Sequence, residues 1–170
     1  VTAVADGTAT ITATSGSLTA TSVITVAQVA SAVEVSPSTS TLSSVGETVA
    51  LTATVKDANG ETISGATVEW ATSDDSVATV SSAGLVTAVA DGTATITATS
   101  GSLTATSAIT VTQVASTIEV SPSTSTLTSL GATVALTATV NDAGGTAISG
   151  ATVTWETSDA AVATVSSAGL

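Results

Sequence analysis

Apolar and polar side chains alternate along most of this chain. In residues 48–56, TVALTATVK, one side of the segment is mainly threonine and the other is apolar, with Val49, Leu51, Ala53 and Val55. A period of two predicts a β-strand with one buried face, and β-branched threonine suits the exposed face. Helical spacing is not sustained anywhere, so we expect no helix longer than a turn.

Turn-forming residues separate the alternating segments at short intervals. In the middle of the chain these turns lie at 57–60, 73–76, 82–84, 91–92 and 100–102. Glycine and aspartate tolerate the tight backbone that such turns require. The strands predicted between them lie near 33–36, 39–42, 47–56, 66–72, 77–80, 85–88, 93–99 and 103–112. Short strands at this spacing predict an all-β fold, an antiparallel β-sandwich.

The chain also repeats itself. Residues 1–85 and 86–170 align without a gap and differ at 15 positions. A period of 85 residues fits one small domain, so we expect a tandem array. The segments that precede Pro37 and Pro122 mark the boundaries. We therefore expect the C-terminal part of one domain at 1–31, a complete domain at 32–116, and the N-terminal part of the next domain at 117–170.

Composition excludes several functions. The 170 residues carry 13 acids, one lysine and no arginine or histidine, for a net charge of −12. Without a basic patch, nucleic acid and anionic lipid are unsuitable partners. The chain also has no cysteine, tyrosine or histidine, so nucleophilic triads and imidazole bases cannot be assembled. The acid pair Asp74 and Asp75 becomes Asp159 and Ala160 in the second copy, and we expect no enzymatic activity and no catalytic residues.

Trp70 and Trp155 are the only aromatic residues. A single large ring among alanine, valine and leucine predicts a structural core residue that fills the centre of a thin sandwich. The alternative is a platform for stacking sugars. Val68 shares a face with Trp70, which favours the core interpretation.

Calcium is the one metal hypothesis, and we expect no other cofactor. Asp57, Asn59 and Glu61 alternate in DANGE, and oxygen ligands from such a loop suit Ca²⁺. The second copy has Asp142, Gly144 and Thr146 at the same positions, which removes two of the three side-chain oxygens. The alternative interpretation is that each of these acids acts separately and stabilises its own turn without binding a metal.

The segment between consecutive domains predicts a stiff connection. Residues 111–118, VTQVASTI, contain no glycine and no proline. The last strand of one domain should therefore pass almost directly into the first strand of the next. With strands of about ten residues, each domain should advance the array by roughly 35 to 45 Å.

Several motifs together resemble a known family. The order is EVSPSTSTL, ETVALTATVKDANG, ISGATVEWATSDDSVATV, SSAGLVTAV and ADGTATITATSG. It is similar to the bacterial Ig-like domain of group 2, found in invasin- and intimin-like adhesins and other long surface proteins. The resemblance covers both repeats and implies an immunoglobulin-like β-sandwich that acts as a spacer in extracellular arrays. It implies no catalytic residues and no particular receptor.

Three functions remain open from the sequence. The first is a stiff stalk or spacer at the cell surface, with neighbouring repeats as head-to-tail partners and any glycan or protein receptor outside this segment. The second is a self-assembling extracellular filament, in which half-domains are completed between neighbouring chains. The third is a carbohydrate-binding module. No apolar segment here is long enough for membrane insertion.

Overall fold

A computed structural model describes residues 1–170, and it confirms the all-β, Ig-like fold class. No helix suited to crossing a membrane is present. The thirteen strands are β1 (Gly7–Ser15), β2 (Leu18–Val26), β3 (Ala32–Ser36), β4 (Thr39–Leu42), β5 (Thr48–Ala50), β6 (Thr52–Lys56), β7 (Glu69–Thr72), β8 (Ala78–Val80), β9 (Leu85–Ala88), β10 (Gly92–Ser100), β11 (Leu103–Val111), β12 (Thr117–Ser121) and β13 (Thr137–Asn141).

Strands β3 to β11 form one two-layer sandwich, which we call the central domain. One layer has the order β4-β11-β10-β7. In the other layer β3 pairs with β6, and β5 pairs with β9, which pairs with β8. Because β5 and β6 follow each other across Leu51, these pairings form a single layer. All pairs are antiparallel except β4 with β11, which run parallel.

The alternation in β10 shows how the sequence builds the core. Its inward positions Ala94, Ile96 and Ala98 are at most 4% exposed, while threonine occupies the other side. Ala94 pairs across the sheet with Ile109, which is fully buried. Burying apolar area in this way stabilises a sandwich by about 25 cal/mol per Å². The other buried apolar residues of the core are Leu42, Leu51, Val55, Val77, Ala78, Val86, Ala88 and Val111.

Two predicted strands differ in detail from the structure. The strand predicted at 47–56 is interrupted at Leu51, where the pairing partner changes. The N–H group of Leu51 donates to the carbonyl oxygen of Gly84 at 2.8 Å, in register with the β5–β9 pairs, whereas the β6 strand that follows pairs with β3. The strand predicted at 66–72 begins only at Glu69. Its partner β10 ends at Ser100, so residues before Glu69 have little strand left to pair with.

The segments on either side of the central domain form some of the same strand pairs, but other strands do not cover their apolar faces. The β1–β2 hairpin has the same register as the β10–β11 hairpin. Yet Ile11 is 44% exposed, whereas its counterpart Ile96 is fully buried. Strands β12 and β13 pair as β3 and β6 do, and the residues after Asn141 form no further strand. Each flanking segment therefore shows an apolar surface that the central domain encloses.

One buried hydroxyl group in the central domain has no hydrogen-bond partner. The Oγ of Ser107 on β11 is unsatisfied, and the residue is fully buried. Leaving such a group unpaired is unfavourable. We expect Ser107→Ala to raise the free energy of unfolding by about 1 kcal/mol. Urea unfolding followed by Trp70 fluorescence, in a Trp155→Phe background, measures it.

A matched control comes from the first repeat. Ser22 occupies the same position in the β1–β2 hairpin, but it is exposed. Ser22→Ala should leave the stability of the central domain unchanged. A loss of stability in Ser107→Ala would show that the hydroxyl group makes a favourable bond after all.

Candidate functional site at the interdomain junction

The linker of residues 112–116 connects β11 to β12 and is hydrogen-bonded on both sides. Three of its N–H groups donate to carbonyl oxygens of the two domains that it joins. These bonds are Thr112 to Leu42 at 2.9 Å, Val114 to Ser43 at 2.9 Å, and Ser116 to Asn141 at 2.8 Å. A linker whose backbone donors are satisfied in this way has little freedom to move.

Gln113 connects the two domains through both its backbone and its side chain. Its N–H group donates to Oδ1 of Asp91, in the turn before β10, at 2.7 Å. Its side-chain Nε2 donates to Oδ2 of Asp142, just after β13, at 2.9 Å. One residue therefore ties a carboxylate of the central domain to a carboxylate of the next.

Asp142 is the most buried member of this arrangement. The residue is 2% exposed although it carries a charge. Its Oδ2 also accepts from the N–H group of Val45 in the central domain at 2.9 Å, and its Oδ1 accepts from the N–H group of Thr146 at 2.8 Å. A buried carboxylate is stable only when donors surround it. Asp91, Gln113, Asp142 and the Val45 N–H group form what we call the junction clamp.

The first copy repeats most of the clamp. The N–H group of Gln28 donates to Oδ1 of Asp6 at 2.7 Å, and its Nε2 donates to Oδ2 of Asp57 at 3.2 Å. No N–H group equivalent to that of Val45 contacts Asp57, which is more exposed than Asp142. Two independent copies with the same contacts indicate that the clamp belongs to the repeat.

Sequence reasoning did not identify this site. It considered Asp57 as a calcium ligand, with a turn carboxylate as the alternative, and it gave the glutamines no role. The available signal was that both copies have a glutamine at the same position of the linker, Gln28 and Gln113.

The family of the repeat follows from a sequence comparison. Residues 29–111 match the family model of the bacterial Ig-like domain (group 2). These residues form a group 2 bacterial Ig-like domain. The match begins at Val29, next to the clamp glutamine Gln28, and ends with β11, so it coincides with the central sandwich and confirms the resemblance seen in the motifs.

Comparison with solved structures gives similar chains from one surface layer protein. They include domains 1–6 of surface layer protein SbsC (TM-score 0.49, 23% identity, 84% of this chain and 20% of that chain). Domains 4 and 5 of SbsC match with TM-score 0.49 and 25% identity, over 66% of this chain and 69% of that chain. The chain spans about a fifth of the length of the first two SbsC structures. A search of curated proteins gave no match.

The structure places Trp70 against the core of the Ig-like domain and leaves it half-buried. The centre of the core is aliphatic, and the indole lies at its edge. A Cβ atom at Gly84 would stand 3.0 Å from the ring, so the Gly84 backbone covers the indole. Trp155 has the same relation to Gly169. Only a shallow depression of about 280 Å³ adjoins Trp70, which favours packing over sugar stacking.

The predicted calcium ligands are arranged as a hydrogen-bonded loop. Oδ1 of Asp57 accepts from the N–H groups of Asn59 and Glu61, both at 2.9 Å, and Oδ2 accepts from Gln28. These bonds occupy both carboxylate oxygens, and no three acidic side chains come together in the structure. Calcium at Asp57, Asn59 and Glu61 stays a prediction that this geometry does not favour. A melting temperature raised by millimolar Ca²⁺ but not by Mg²⁺ would support it.

Asp74 of the Ig-like domain stabilises a turn. Oδ1 of Asp74 accepts from the N–H group of Ser76 at 3.0 Å and from its hydroxyl group at 2.6 Å. These bonds hold the pKa of Asp74 below its ordinary value. The family is a structural one rather than an enzyme family.

The clamp depends on ionised aspartate. The Gln113 side chain is the main cause that lowers the pKa of Asp142, and the Val45 and Thr146 N–H groups add to it, while burial opposes them. A lowered folded-state pKa means that stabilisation is complete above the unfolded value of about 3.9 and is lost as pH falls through the lower folded value. We therefore expect the clamp to persist at pH 5 and to open only below about pH 3.9.

The Val45 amide proton reports this titration directly. Its chemical shift, followed by NMR from pH 7 to pH 2, should change with a midpoint below about 3.9. The Gln113 side-chain amide protons should change with the same midpoint. A midpoint at or above the ordinary value would contradict the role of these hydrogen bonds.

Proposed function

We propose that this chain is a stiff spacer in an extracellular bacterial surface protein of the adhesin type. The observation that supports the proposal is the buried carboxylate of Asp142, which is bound by the linker, by the preceding domain and by its own loop. Three separate segments donate hydrogen bonds to this one carboxylate. Bending at the junction would break some of these bonds and leave a buried charge without donors, which is unfavourable. Neighbouring repeats are therefore the partners, joined head to tail.

The experiment measures the junction in a chain with two complete domains. Residues 32–170 followed by residues 1–31 use the same 170 residues, and the join Leu170–Val1 reproduces the native join Leu85–Val86. We call this the rearranged chain. The protein has no cysteine, so Thr79→Cys and Thr164→Cys, both exposed and equivalent, accept spin labels cleanly.

The expected result is one narrow distance distribution between the labels. Gln113→Ala should broaden it, because Asp91 and Asp142 lose their shared donor. Thr106→Ala, an exposed change on β11, is the matched control and should leave the distribution narrow. A broad distribution in the unmodified rearranged chain would overturn the spacer proposal. Antibodies against the chain that label unpermeabilised cells would support the surface location.

A second candidate function is assembly by domain completion. Leu18 and Ile11 of the first hairpin are 75% and 44% exposed, and Ile96, the counterpart of Ile11, is fully buried in the central domain. A cleft of about 1220 Å³ lies within residues 125–170, lined by Leu127, Leu136, Trp155 and Val165 among others. In the central domain the β10–β11 hairpin covers the corresponding surface. The β1–β2 hairpin of a neighbouring repeat, in the same array or in a second copy, has the sequence to fill the cleft.

Analytical ultracentrifugation and electron microscopy test this second function. The 170-residue chain in its native order should form fibres as its concentration rises, because its exposed halves are complementary. The rearranged chain has the same composition but encloses both halves, and it should stay monomeric. A monomeric chain in the native order would exclude completion between separate copies.

A further inference from the structure

The differences between the two nearly identical copies are concentrated at the junction. Of the 15 positions that differ, eight lie in the linker and in the two loops that meet at the junction, and two more begin the strand that follows the linker. In the first copy these are position 27 in the linker, 32 and 33 at the start of β3, 43, 45 and 47 before β5, and 56, 59, 61 and 62 from the end of β6 onward. The strands β10 and β1, by comparison, are identical in sequence. The copies therefore share a core and differ where they touch their neighbours.

Two loops face each other across the junction that this structure contains. We call residues 43–47 of the central domain the receiving loop and residues 141–147 of the next domain the docking loop. The Asp142 carboxylate accepts from Val45, and Ser44 is only 8% exposed beneath the contact. A Cβ atom at Gly144 would lie 2.7 Å from the carbonyl oxygen of Val45. The docking loop therefore fits because residue 144 has no side chain.

The first copy carries a different docking loop. Asn59 stands at the position of Gly144, so its Cβ atom would collide with a carbonyl oxygen placed as that of Val45 is. That loop also carries two acids, Asp57 and Glu61, where the loop of the second copy has only Asp142. The Asn59 loop cannot replace the Gly144 loop on this receiving loop without a shift of the backbone.

The receiving loops differ as well. In the central domain Oε2 of Glu47 accepts from the N–H group of Ser43 at 2.6 Å and from its hydroxyl group at 3.0 Å, which fixes the loop. In the second copy Ala132 replaces Glu47, so this bond is lost. Leu130 replaces Val45 there and is fully exposed. The second copy thus presents a larger apolar side chain on a loop that lacks its carboxylate brace.

We propose that the junction faces are specific to each copy, so that the receiving loop with Val45 and Glu47 accepts a docking loop with glycine at position 144 and rejects the Asn59 type. This inference rests on the proposed spacer function, since it concerns how successive domains dock. Nearly identical neighbours are prone to pair out of order during folding. Matched faces disfavour the wrong neighbour while leaving the common core unchanged.

The test compares Gly144→Asn with Ala143→Asn in the rearranged chain. Both changes place the same residue in the docking loop. Ala143 already carries a Cβ atom and is exposed, whereas a Cβ atom at Gly144 would meet the carbonyl oxygen of Val45. Hydrogen exchange of the Val45 amide, measured by NMR, reports whether the loops are docked. Gly144→Asn should reduce its protection by about tenfold or more, since a charge-assisted bond is lost. Ala143→Asn should leave that protection unchanged, and the Val140 amide on β13 shows in both variants that the domain remains folded.

Two results would overturn the proposal. One is that Gly144→Asn keeps the protection of Val45, which would mean that the receiving loop tolerates a side chain there. The other is that Ala143→Asn loses as much protection as Gly144→Asn, which would mean that the loop is merely sensitive to any change. The spin-label experiment tests the spacer proposal separately. It measures the stiffness of the rearranged chain without a substitution at residue 144, so the two proposals can fail independently.

Discussion

Gly84→Ala should destabilise the central domain by roughly 3 to 5 kcal/mol. Gly84 has a φ of +79°, which a residue with a Cβ atom adopts only at a cost of about 1 to 2 kcal/mol. The new Cβ atom would also stand 2.5 Å from the carbonyl oxygen of Leu51 and 3.0 Å from the Trp70 ring. Neither neighbour can withdraw easily, since Gly84 accepts the hydrogen bond from the N–H group of Leu51.

Gly101→Ala separates backbone strain from the collision. Gly101 also has a positive φ, +61°, but no atom lies within 4 Å of its expected Cβ position. It should therefore cost only about 1 to 2 kcal/mol. Urea unfolding of both variants, followed by Trp70 fluorescence in the Trp155→Phe background, measures the difference. Equal effects of the two substitutions would show that the contact with Leu51 and Trp70 relaxes freely.

Ile96→Ala should cost the central domain roughly 2 to 5 kcal/mol. Ile96 is fully buried between the two layers, and truncation would remove its transfer free energy and leave a cavity. The same urea experiment measures the loss. An effect below about 1 kcal/mol would mean that the core collapses around the missing atoms.

The chain supplies an unusually close control for Ile96→Ala. Ile11 lies in the identical nine-residue strand GTATITATS and is 44% exposed. Ile11→Ala should change the stability of the central domain by less than about 0.5 kcal/mol. Because the two strands share their local sequence, any difference between the variants measures enclosure by the rest of the domain.

The pair of isoleucines also shows how far the sequence could predict the structure. Alternation predicted the strand that contains Ile96 and the side chain that turns inward, because that property is local, and the identical sequence around Ile11 forms the same strand. It could not predict that one copy is enclosed and the other exposed, because enclosure depends on which partner strands are present. Likewise, the break at Leu51 depends on distant partner strands, because β5 pairs with β9 before it and β6 pairs with β3 after it.

The junction illustrates the same limit for the candidate site. The absence of glycine and proline in the linker predicted a stiff connection, and the hydrogen bonds of Thr112, Val114 and Ser116 give it a physical basis. The partner of Gln113 was not predictable, because its amide bonds to Asp142, 29 residues further on. A lone glutamine in a linker carries no pattern that points to that distance. The contact is recognised as a feature of the repeat only because Gln28 makes the same contact with Asp57 in the first copy.

The parallel pairing of β4 with β11 has a consequence for a protein under tension. The chain enters the central domain through β3, continues into β4 two residues later, and leaves the domain just after β11. Since the two strands point the same way, a pull on the ends of the domain drags them past each other lengthwise. The four residue pairs between them then resist together in shear, whereas an antiparallel pair pulled from one end would open bond by bond. The central domain is thus built to transmit a load through β4 and β11 before it unfolds.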